Sequence, residues 1–361
     1  MKRLTSSKVR RTRSISLGIN LGIIGAILIV VVILGLAAIN GGFHMFSAKK
    51  VPYKNPVGDM TNIGDPFVLK DDDQYYLYAT SAPKSGFKVW KSDNLVDWTE
   101  VGLAYNHGTQ ADPWATGDFW APEVVRYEDK YVMTFSARNR QGSLRISIAT
   151  ADQPEGPFID QNTDLIPEKG SYIDAHILID DDGIPYLYYV KDNYENVVAG
   201  KHVSHIYVRR MTDDLVGVSS EEPILLLKPD QAWESPHDAY QWNEGPFVLK
   251  QNGTYYLMYS ANYFASHDYA IGYAFSDSPT GPFKKSDSNP VLAKNLAIGI
   301  SGPGHNSVIK GFDNKTLYIV YHIHTNPKHP SGDRRMAIDR LYFDGDELKV
   351  DGPTADQGIL K

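Results

Sequence analysis

"GPFVLKQNGTYYLMYSA", residues 245–261, is the stretch of sequence that decides the fold. Two apolar runs flank Asn252-Gly253, a dipeptide typical of the two-residue turn of a β-hairpin. The second run carries three tyrosines, which are common in strands. The stretch therefore predicts a hairpin made of an apolar strand, a tight turn and a tyrosine-rich strand.

The same pattern occurs four more times along the chain. The copies are "DPFVLKDDDQYYLYATS" from Asp65, "APEVVRYEDKYVMTFSA" from Ala121, "DAHILIDDDGIPYLYYV" from Asp174 and "HNSVIKGFDNKTLYIVYH" from His305. Most hairpins are followed by a third alternating run, such as "FKVWKS" from Phe87. Successive copies start 56, 53, 71 and 60 residues apart, a spacing that fits a four-stranded propeller blade with its loops. The sequence predicts an all-β fold, a five-bladed β-propeller over residues 52–361.

Aligning the five copies produces one column of equivalent positions at the mouth of each first strand. The column contains Asp65, Ala121, Asp174, Gly245 and His305, and Glu244 precedes its fourth member. The first strand of each blade lines the central channel, so these positions should form a ring at one end of the axis. Several carboxyl groups in one small region are costly to bury unless something pairs with them or uses them. The column predicts a functional site, with a bend at Gly245 needed to bring Glu244 to the same side.

The first 39 residues differ in composition from the rest. Six basic residues precede an uncharged apolar run from Leu17 to Ile39, whose 23 residues would reach roughly 35 Å as a helix, enough to span a membrane. A cleaved signal peptide is the alternative, although its apolar region usually has about 7 to 15 residues. We predict a basic cytoplasmic flank (1–16), a transmembrane signal anchor or signal peptide (17–39), a linker (40–51) and an extracellular propeller, anchored to the cell membrane or secreted after cleavage.

The charge of the chain narrows the range of partners. The net charge is −7, and the six basic residues before Leu17 leave the remainder more acidic than the whole. Nucleic acid is therefore a disfavoured partner. Cysteine is absent, so disulfides are excluded.

The five motifs together resemble glycoside hydrolase family 43, whose five-bladed propeller enzymes cleave arabinose- and xylose-containing polysaccharides. The resemblance covers roughly residues 52–350. It is carried by "NIGDPF" around Asp65, "FWAPEV" at 119–124, "YIDAHILIDDDG" around Asp174, "NEGPF" around Glu244 and "GPGHNSV" around His305.

This resemblance implies a role for each acid. Asp65 would be the general base, Asp174 would tune the pKa of the acid and orient it, and Glu244 would be the general acid. Inverting hydrolysis requires an acid to protonate the leaving oxygen and a base to activate water on the opposite face of the sugar. A nearby anion such as Asp174 would raise the pKa of the acid. His305 would lie near a Ca²⁺ or Na⁺ ion on the propeller axis, an ion not needed for the chemistry.

Other residues are weaker candidates. Trp120 could stack on a sugar, as could Phe119, although packing between blades is an equal alternative for both. Arg335 matches an arginine that family members point into the pocket, although Arg334 beside it is the other choice. The pair His322 and His324 is interpreted as ordinary hydrogen-bonded histidines, and Glu123 as a structural residue.

Alternative functions remain open at this stage. A non-catalytic carbohydrate-binding propeller could dispense with some acids, whereas all three are present. Protein-interaction propellers have blade signatures that this chain lacks, and "GDPFVLK" departs from the propeller hydrolases of fructose-containing sugars. Arabinan, arabinoxylan and xylan oligosaccharides are the expected substrates. The segments "NYENVVAGKHVSHIY" (193–207) and "AWESPHDAYQW" (232–242) in the longest spacing should shape the pocket.

Overall fold

The computed structural model describes residues 50–361, and the predicted basic flank, membrane-spanning helix and nearly all of the linker lie outside this range. Within residues 50–361, no helix has the length and apolar character needed to cross a membrane. The first strand of the described range begins at Val51, the last residue of the predicted linker.

Strands dominate the described range and form five four-stranded antiparallel sheets and two smaller ones. The first small sheet pairs β1 (Val51–Lys54) with β25 (Gln357–Leu360). Blade 1 contains β2 (Gly64–Asp71), β3 (Gln74–Thr80), β4 (Gly86–Ser92) and β5 (Thr99–Asn106). Blade 2 contains β6 (Ala115–Tyr127), β7 (Lys130–Asn139), β8 (Leu144–Ala151) and β9 (Ile159–Asn162).

The remaining blades follow the same order. Blade 3 contains β10 (Tyr172–Ile179), β11 (Pro185–Lys191), β14 (His205–Arg210) and β15 (Ile224–Leu227). Its additional strands β12 (Val197–Val198), β13 (Lys201–Val203) and β16 (Tyr240–Gln241) form a three-stranded sheet, here called the insert sheet. Blade 4 contains β17 (Asn243–Gln251), β18 (Thr254–Ala261), β19 (Ala270–Ser276) and β20 (Lys284–Lys285), and blade 5 contains β21 (Gly304–Lys310), β22 (Leu317–His324), β23 (Arg334–Asp344) and β24 (Glu347–Val350). Single 3-10 turns lie at His107–Thr109, Ala232–Glu234 and Leu296–Ile298.

Each predicted hairpin is confirmed as the first two strands of a blade, and the quoted third run, "FKVWKS", lies in β4, the third strand of blade 1. The first strands contact one another in the cyclic order β2, β6, β10, β17, β21 and back to β2, which closes the propeller. Apolar and tyrosine side chains fill the spaces between neighbouring blades. Tyr78, Tyr188, Tyr259 and Tyr321, from four of the blades, are at most 1% exposed.

Both ends of the described chain fasten blade 5 to blade 1. Strands β1 and β25 pair antiparallel from Val51–Leu360 to Lys54–Gln357. The buried amide of Asn55 then exchanges two 2.9 Å hydrogen bonds with the backbone of Ile338 in blade 5. The ring is therefore closed by hydrogen bonds between residues that are about 300 positions apart in sequence.

All five first strands carry a β-bulge at the predicted column. The register shifts between Gly64 and Phe67 in blade 1, between Glu244 and Phe247 in blade 4, and at the corresponding positions of the other blades. The column residues Asp65, Ala121, Asp174, Gly245 and His305 all have left-handed backbone angles, with φ between 47° and 56°. For a residue other than glycine this conformation costs roughly 1–2 kcal/mol, so the surrounding structure must hold it in place.

Hydrogen bonds to the preceding blade stabilise the left-handed backbone of these residues. The amides of Ala121, Asp174 and His305 donate to the hydroxyls of Thr80, Ser136 and Ser260, at 2.9, 3.0 and 2.8 Å. The amide of Asp65 donates in the same way to Nδ1 of His322, at 3.2 Å. These four acceptors are equivalent residues near the end of each second strand.

Blade 3 breaks this pattern. Its residue at the acceptor position is Val190, which pairs with Ile173 and has no polar side chain. The amide of Gly245 therefore donates instead to Oδ2 of Asp174, at 3.0 Å. A carboxylate thus replaces the usual hydroxyl, and this substitution brings Asp174 next to the strand that carries Glu244.

Candidate active site

A cavity of ≈ 650 Å³ opens over the ring of bulges. The three predicted acids, Asp65, Asp174 and Glu244, all line it. Its other lining residues include a set of large rings, Trp120, Tyr194, Tyr240, Trp242, Tyr263, Phe264 and Tyr269. Acids and a few other polar side chains on a mainly aromatic and apolar surface are typical of a binding pocket whose polar groups act on the ligand.

Asp65 is surrounded by hydrogen-bond donors and positive charge. Its Oδ1 accepts a 2.7 Å hydrogen bond from Arg334, and its Oδ2 accepts one of 2.6 Å from Thr80. The imidazole of His305 lies 3.3 Å from Oδ1. Burial alone would raise the pKa of Asp65, but the charge of Arg334, with help from His305, outweighs burial and holds that pKa well below its usual value. Asp65 is therefore ionised.

The pKa of Asp174 is shifted in the opposite direction to that of Asp65. Burial, together with repulsion from Asp65, raises the pKa of Asp174 to about 6, although His305 and the Gly245 amide lower it in part. Its carboxylate has no arginine partner of the kind that Asp65 has, so its charge is only partly compensated. This charge acts on the neighbouring Glu244.

Glu244 is the acid that is held protonated. Its side chain is buried, and its Oε1 accepts a 2.8 Å hydrogen bond from the hydroxyl of Tyr269. Burial is the largest cause that raises its pKa well above the usual glutamate value, and the charge of Asp174 is the second. The Tyr269 hydrogen bond opposes this shift because it stabilises the carboxylate. The cavity thus brings together an ionised carboxylate, Asp65, and a protonated carboxyl group, Glu244, from different blades.

The bulge explains how Glu244 reaches the cavity from a position one residue before the column. An extra residue in a bulge reorients side chains, so that consecutive residues can face the same side. Trp120 and Ile173 occupy the same pre-bulge position in blades 2 and 3, and both line the cavity. The bend that the sequence requires at Gly245 is present, with φ of 56°.

The pre-bulge position is glycine in blades 1 and 5 for a steric reason. A Cβ at Gly64 would lie 1.9 Å from the Arg334 guanidinium, and one at Gly304 would lie 2.0 Å from the ring of Tyr269. These glycines therefore leave room for the two side chains that hydrogen-bond to Asp65 and Glu244. A Gly64 substitution would displace Arg334 from Asp65.

The choice between the two arginines of blade 5 requires a correction. Arg334, not Arg335, lines the cavity and contacts Asp65. Arg335 follows it on β23, so its side chain points to the other face, where its guanidinium donates to the carbonyl oxygen of Gly58. The sequence alone does not specify the register of β23, which decides which of the two arginines faces the cavity.

The other candidates divide between the cavity and the core. Trp120 and His305 line the cavity, whereas Phe119 is fully buried among Phe87, Tyr105 and Phe135. Phe119 is therefore a packing residue and has no face for a sugar.

The three remaining polar candidates are all paired. Glu123 is buried and pairs with His176 at 2.7 Å. His324 bonds to Ser301 and to the Phe264 carbonyl oxygen, and His322 accepts the Asp65 amide. Both histidines therefore have hydrogen-bond partners, in line with the sequence interpretation.

Sequence reasoning missed Tyr269, Thr80 and Asp192, all of which line the cavity. Thr80 accepts from the Ala121 amide and donates to Asp65, so it links the bulge of blade 2 to the acid of blade 1. Its position at the end of a second strand, matched by Ser136 and Ser260, was the signal that could have identified it. Tyr269 lies outside the repeated hairpin, and no pattern in the sequence marks it.

Comparison with known proteins agrees with this geometry. The model of the glycosyl hydrolases family 43 matches residues 53–348. The chain belongs to glycoside hydrolase family 43. It is therefore an O-glycosyl hydrolase.

Matches to individual relatives cover more than half of the chain. A crystal structure of a thermostable family-43 glycoside hydrolase is 54% identical, with a TM-score of 0.83, and the match covers 84% of this chain and 97% of that one. The beta-D-galactofuranosidase xynD of Aspergillus niger is 31% identical over 77% of this chain and 79% of its own length. The xylosidase/arabinosidase 43A of Humicola insolens is 33% identical over 55% of this chain and 66% of its own.

Opposite pH shifts are expected from two substitutions around Glu244. Asp174→Asn removes the like charge, so the pKa of Glu244 should fall and the alkaline limb of the kcat/KM profile should move to lower pH. Tyr269→Phe removes the donor that stabilises the carboxylate, so the same limb should move to higher pH. Measuring kcat/KM against pH on an aryl-glycoside checks both. Tyr256→Phe, a tyrosine of blade 4 bonded to the Asp346 carbonyl oxygen outside the cavity, is the control. Shifts in the same direction for both variants would contradict this description of Glu244.

Proposed function

We propose that this family 43 enzyme hydrolyses arabinose- or xylose-containing oligosaccharides and polysaccharides with inversion of the anomeric carbon. The observation that carries the proposal is the pair of carboxyl groups with opposite protonation, Asp65 and Glu244, facing one cavity. Inverting hydrolysis needs such a pair, because one group must accept a proton while the other supplies one.

Asp65 is proposed as the base that activates water. Its low pKa keeps it ionised throughout the pH range of the reaction, and Thr80 and Arg334 fix the orientation of its two oxygens. A strongly stabilised carboxylate is a weak base, so Asp65 also contributes by aligning the water whose proton it accepts and by stabilising positive charge that develops on the sugar.

Glu244 is proposed as the acid that protonates the leaving oxygen. A carboxyl group with an ordinary pKa would be ionised near neutral pH, whereas burial and the charge of Asp174 keep this one protonated. Asp174 is proposed to act through Glu244, both by its charge and by its hydrogen bond to the Gly245 amide, which fixes the neighbouring backbone.

Arabinofuranose is the sugar we favour for the cleaved unit. The relatives include a galactofuranosidase and a xylosidase/arabinosidase. The rings of α-L-arabinofuranose and β-D-galactofuranose have the same configuration and differ by one exocyclic carbon unit. A site that accepts one of these furanoses therefore needs few changes to accept the other. A related specificity, including galactofuranose, is the second candidate.

A Ca²⁺ or Na⁺ ion on the axis is a separate proposal. In residues 50–361, no group of three or more His, Asp or Glu side chains is placed to hold a metal ion, so this donor set does not fit an ion held by protein ligands alone. We propose that His305 contributes at most one ligand and that water supplies the others. A chelator should then lower the melting temperature, and added calcium should restore it. An unchanged melt after exhaustive chelation would contradict this.

Anchoring at the cell membrane is proposed from the sequence of residues 17–39. The intact chain should sediment with membranes, and protease added from outside should cut the propeller. Recovery of a soluble form that begins near residues 38–42 would establish cleavage of a signal peptide instead.

Inversion and the two catalytic roles can be tested together. Glu244→Gln keeps the shape of the side chain but removes the proton, so activity should fall by roughly 10² to 10⁴ on substrates with poor leaving groups and far less on activated aryl-glycosides. Asp65→Asn should impair both substrates alike, because water attack is needed in each case. Proton NMR early in the reaction should show the product with inverted configuration before mutarotation.

The substrates for this experiment should separate the sugars. Aryl-glycosides of arabinofuranose, xylopyranose and galactofuranose, together with linear arabinan, cover the candidates. A product of retained configuration, or a Glu244→Gln enzyme equally impaired on all substrates, would reject the assigned roles. Binding without any turnover by the unmodified chain would favour a non-catalytic carbohydrate-binding propeller.

A further inference from the structure

A strip of five rings runs from the lining of the cavity onto the insert sheet. Its members, in order, are Phe264, Tyr263, Trp242, Tyr240 and His202, here called the aromatic strip. Successive ring centroids are 4.9, 5.5, 6.3 and 4.7 Å apart. The first four rings line the cavity, and the guanidinium of Arg334 lies 5.1 Å from the ring of Phe264. One end of the strip therefore lies beside Arg334, which holds Asp65, and the other end lies on the insert sheet.

Two rings of the strip are exposed to solvent, and the other three are partly buried. Tyr240 is 53% exposed and Tyr263 is 47% exposed. Large exposed apolar groups that adjoin one another mark binding surfaces more often than isolated ones do. Packing of the core does not explain these rings, because a core residue would be covered.

The insert sheet fixes the outer end of the strip. Strand β16 pairs parallel with β13, which places Tyr240 opposite His202. Their rings stack with an interplanar angle of 12°, and Nδ1 of His202 is 2.9 Å from the carbonyl oxygen of Asn193. The side chain of the adjacent Gln241 donates to the carbonyl oxygens of Pro236 and Asp238. These bonds hold the rings in place before any ligand arrives, which lowers the entropy lost on binding.

A buried ion pair anchors the loop that leads into β16. Glu234 is fully buried, and Nζ of Lys285 lies 2.6 Å from its Oε1. The hydroxyl of Tyr259 donates to the same oxygen at 2.7 Å. The insert is therefore attached to blade 4, the blade that carries Glu244.

The position of Trp242 shows which part of a substrate would lie on the strip. Trp242 precedes Glu244 by two residues, just ahead of β17. In the proposed reaction, Glu244 protonates the oxygen of the departing group. The middle of the strip therefore lies beside the strand that carries the proposed proton donor, on the side from which the departing part of the substrate would leave.

We propose that the aromatic strip is an acceptor platform that binds several consecutive units of a neutral saccharide chain on the leaving-group side of the bond. This inference rests on the proposed function. The C–H faces of sugar rings pack against aromatic rings, and amphipathic rings such as Tyr and Trp suit a surface that is partly wet. The four rings that line the cavity are uncharged, so they favour neutral pentose chains over chains of uronic acids. A strip of this length is superfluous for an aryl-glycoside or a disaccharide.

Binding measured without turnover tests the platform. In a full-length Glu244→Gln background, calorimetry should give dissociation constants for arabinan- and xylan-derived oligosaccharides from the disaccharide to the pentasaccharide. For at least one series, the dissociation constant should fall as the chain lengthens. Adding Tyr240→Ala should weaken binding of the pentasaccharide by about tenfold, and the disaccharide much less.

Matched variants separate stacking from other effects. Tyr240→Phe keeps the ring and should retain the length dependence, and it also covers the case in which Tyr240→Ala destabilises the insert sheet. Tyr342→Ala removes a partly exposed tyrosine of β23 that lies outside the cavity, and it should leave all dissociation constants unchanged. In the active enzyme, Tyr240→Ala should lower the ratio of kcat/KM on long chains to kcat/KM on an aryl-glycoside.

The outcomes that would overturn the platform differ from those that would reject the catalytic proposal. Dissociation constants independent of chain length, or equal weakening of the disaccharide and the pentasaccharide by Tyr240→Ala, would overturn the platform while leaving inversion intact. Length dependence that survives Tyr240→Ala in a folded variant would also overturn it. Retention of configuration would reject the mechanism without affecting the binding result.

Discussion

The hydrogen bond from each bulge amide to a side chain of the preceding blade is the interaction on which the rest of the structure depends. It stabilises a left-handed backbone that residues such as Asp65 and Ala121 would otherwise avoid. The bulge then directs side chains from five separate strands toward one cavity. Because each bond joins two blades, the geometry of the site and the closure of the ring are specified by the same contacts.

Blades 3 and 5 depart from this repeated bond, and these departures give the acids of the site different protonation states. Blade 3 has Val190 where other blades have a polar acceptor, so the Asp174 carboxylate takes over the Gly245 amide and lies where its charge raises the pKa of Glu244. Blade 1 receives His322 and Arg334 from blade 5, and Arg334 keeps Asp65 ionised. Five copies of one hairpin therefore produce two acids with opposite protonation, because each acid has a different neighbouring blade.

The sequence was sufficient to predict the hairpins, the number of blades and the convergence of the three acids at one site, since the turn residues and the column repeat at blade spacing. It was insufficient wherever a strand lacks a pattern or a contact is distant. The outermost strands, such as β20 (Lys284–Lys285), are short and have no apolar alternation to reveal them. Only the register of β23 shows that Arg334, and not Arg335, faces the cavity. Tyr269 and Glu244 are 25 residues apart and come into contact only in the folded chain. The insert sheet depends on parallel pairing of β13 with β16, whose residues are almost 40 positions apart, and no local signal in either strand predicts it.

The closure of the ring by β1 and β25 has a consequence for how such a protein can be rearranged. The first and last strands are neighbours in one sheet, so the blades keep the same contacts whichever blade the chain enters first. A circular permutant that joins these two strands and opens an exposed turn, for example at Gly345 between β23 and β24, would preserve every contact among the first strands. The position at which the chain enters the ring could therefore change, in evolution or in the laboratory, without rebuilding the site.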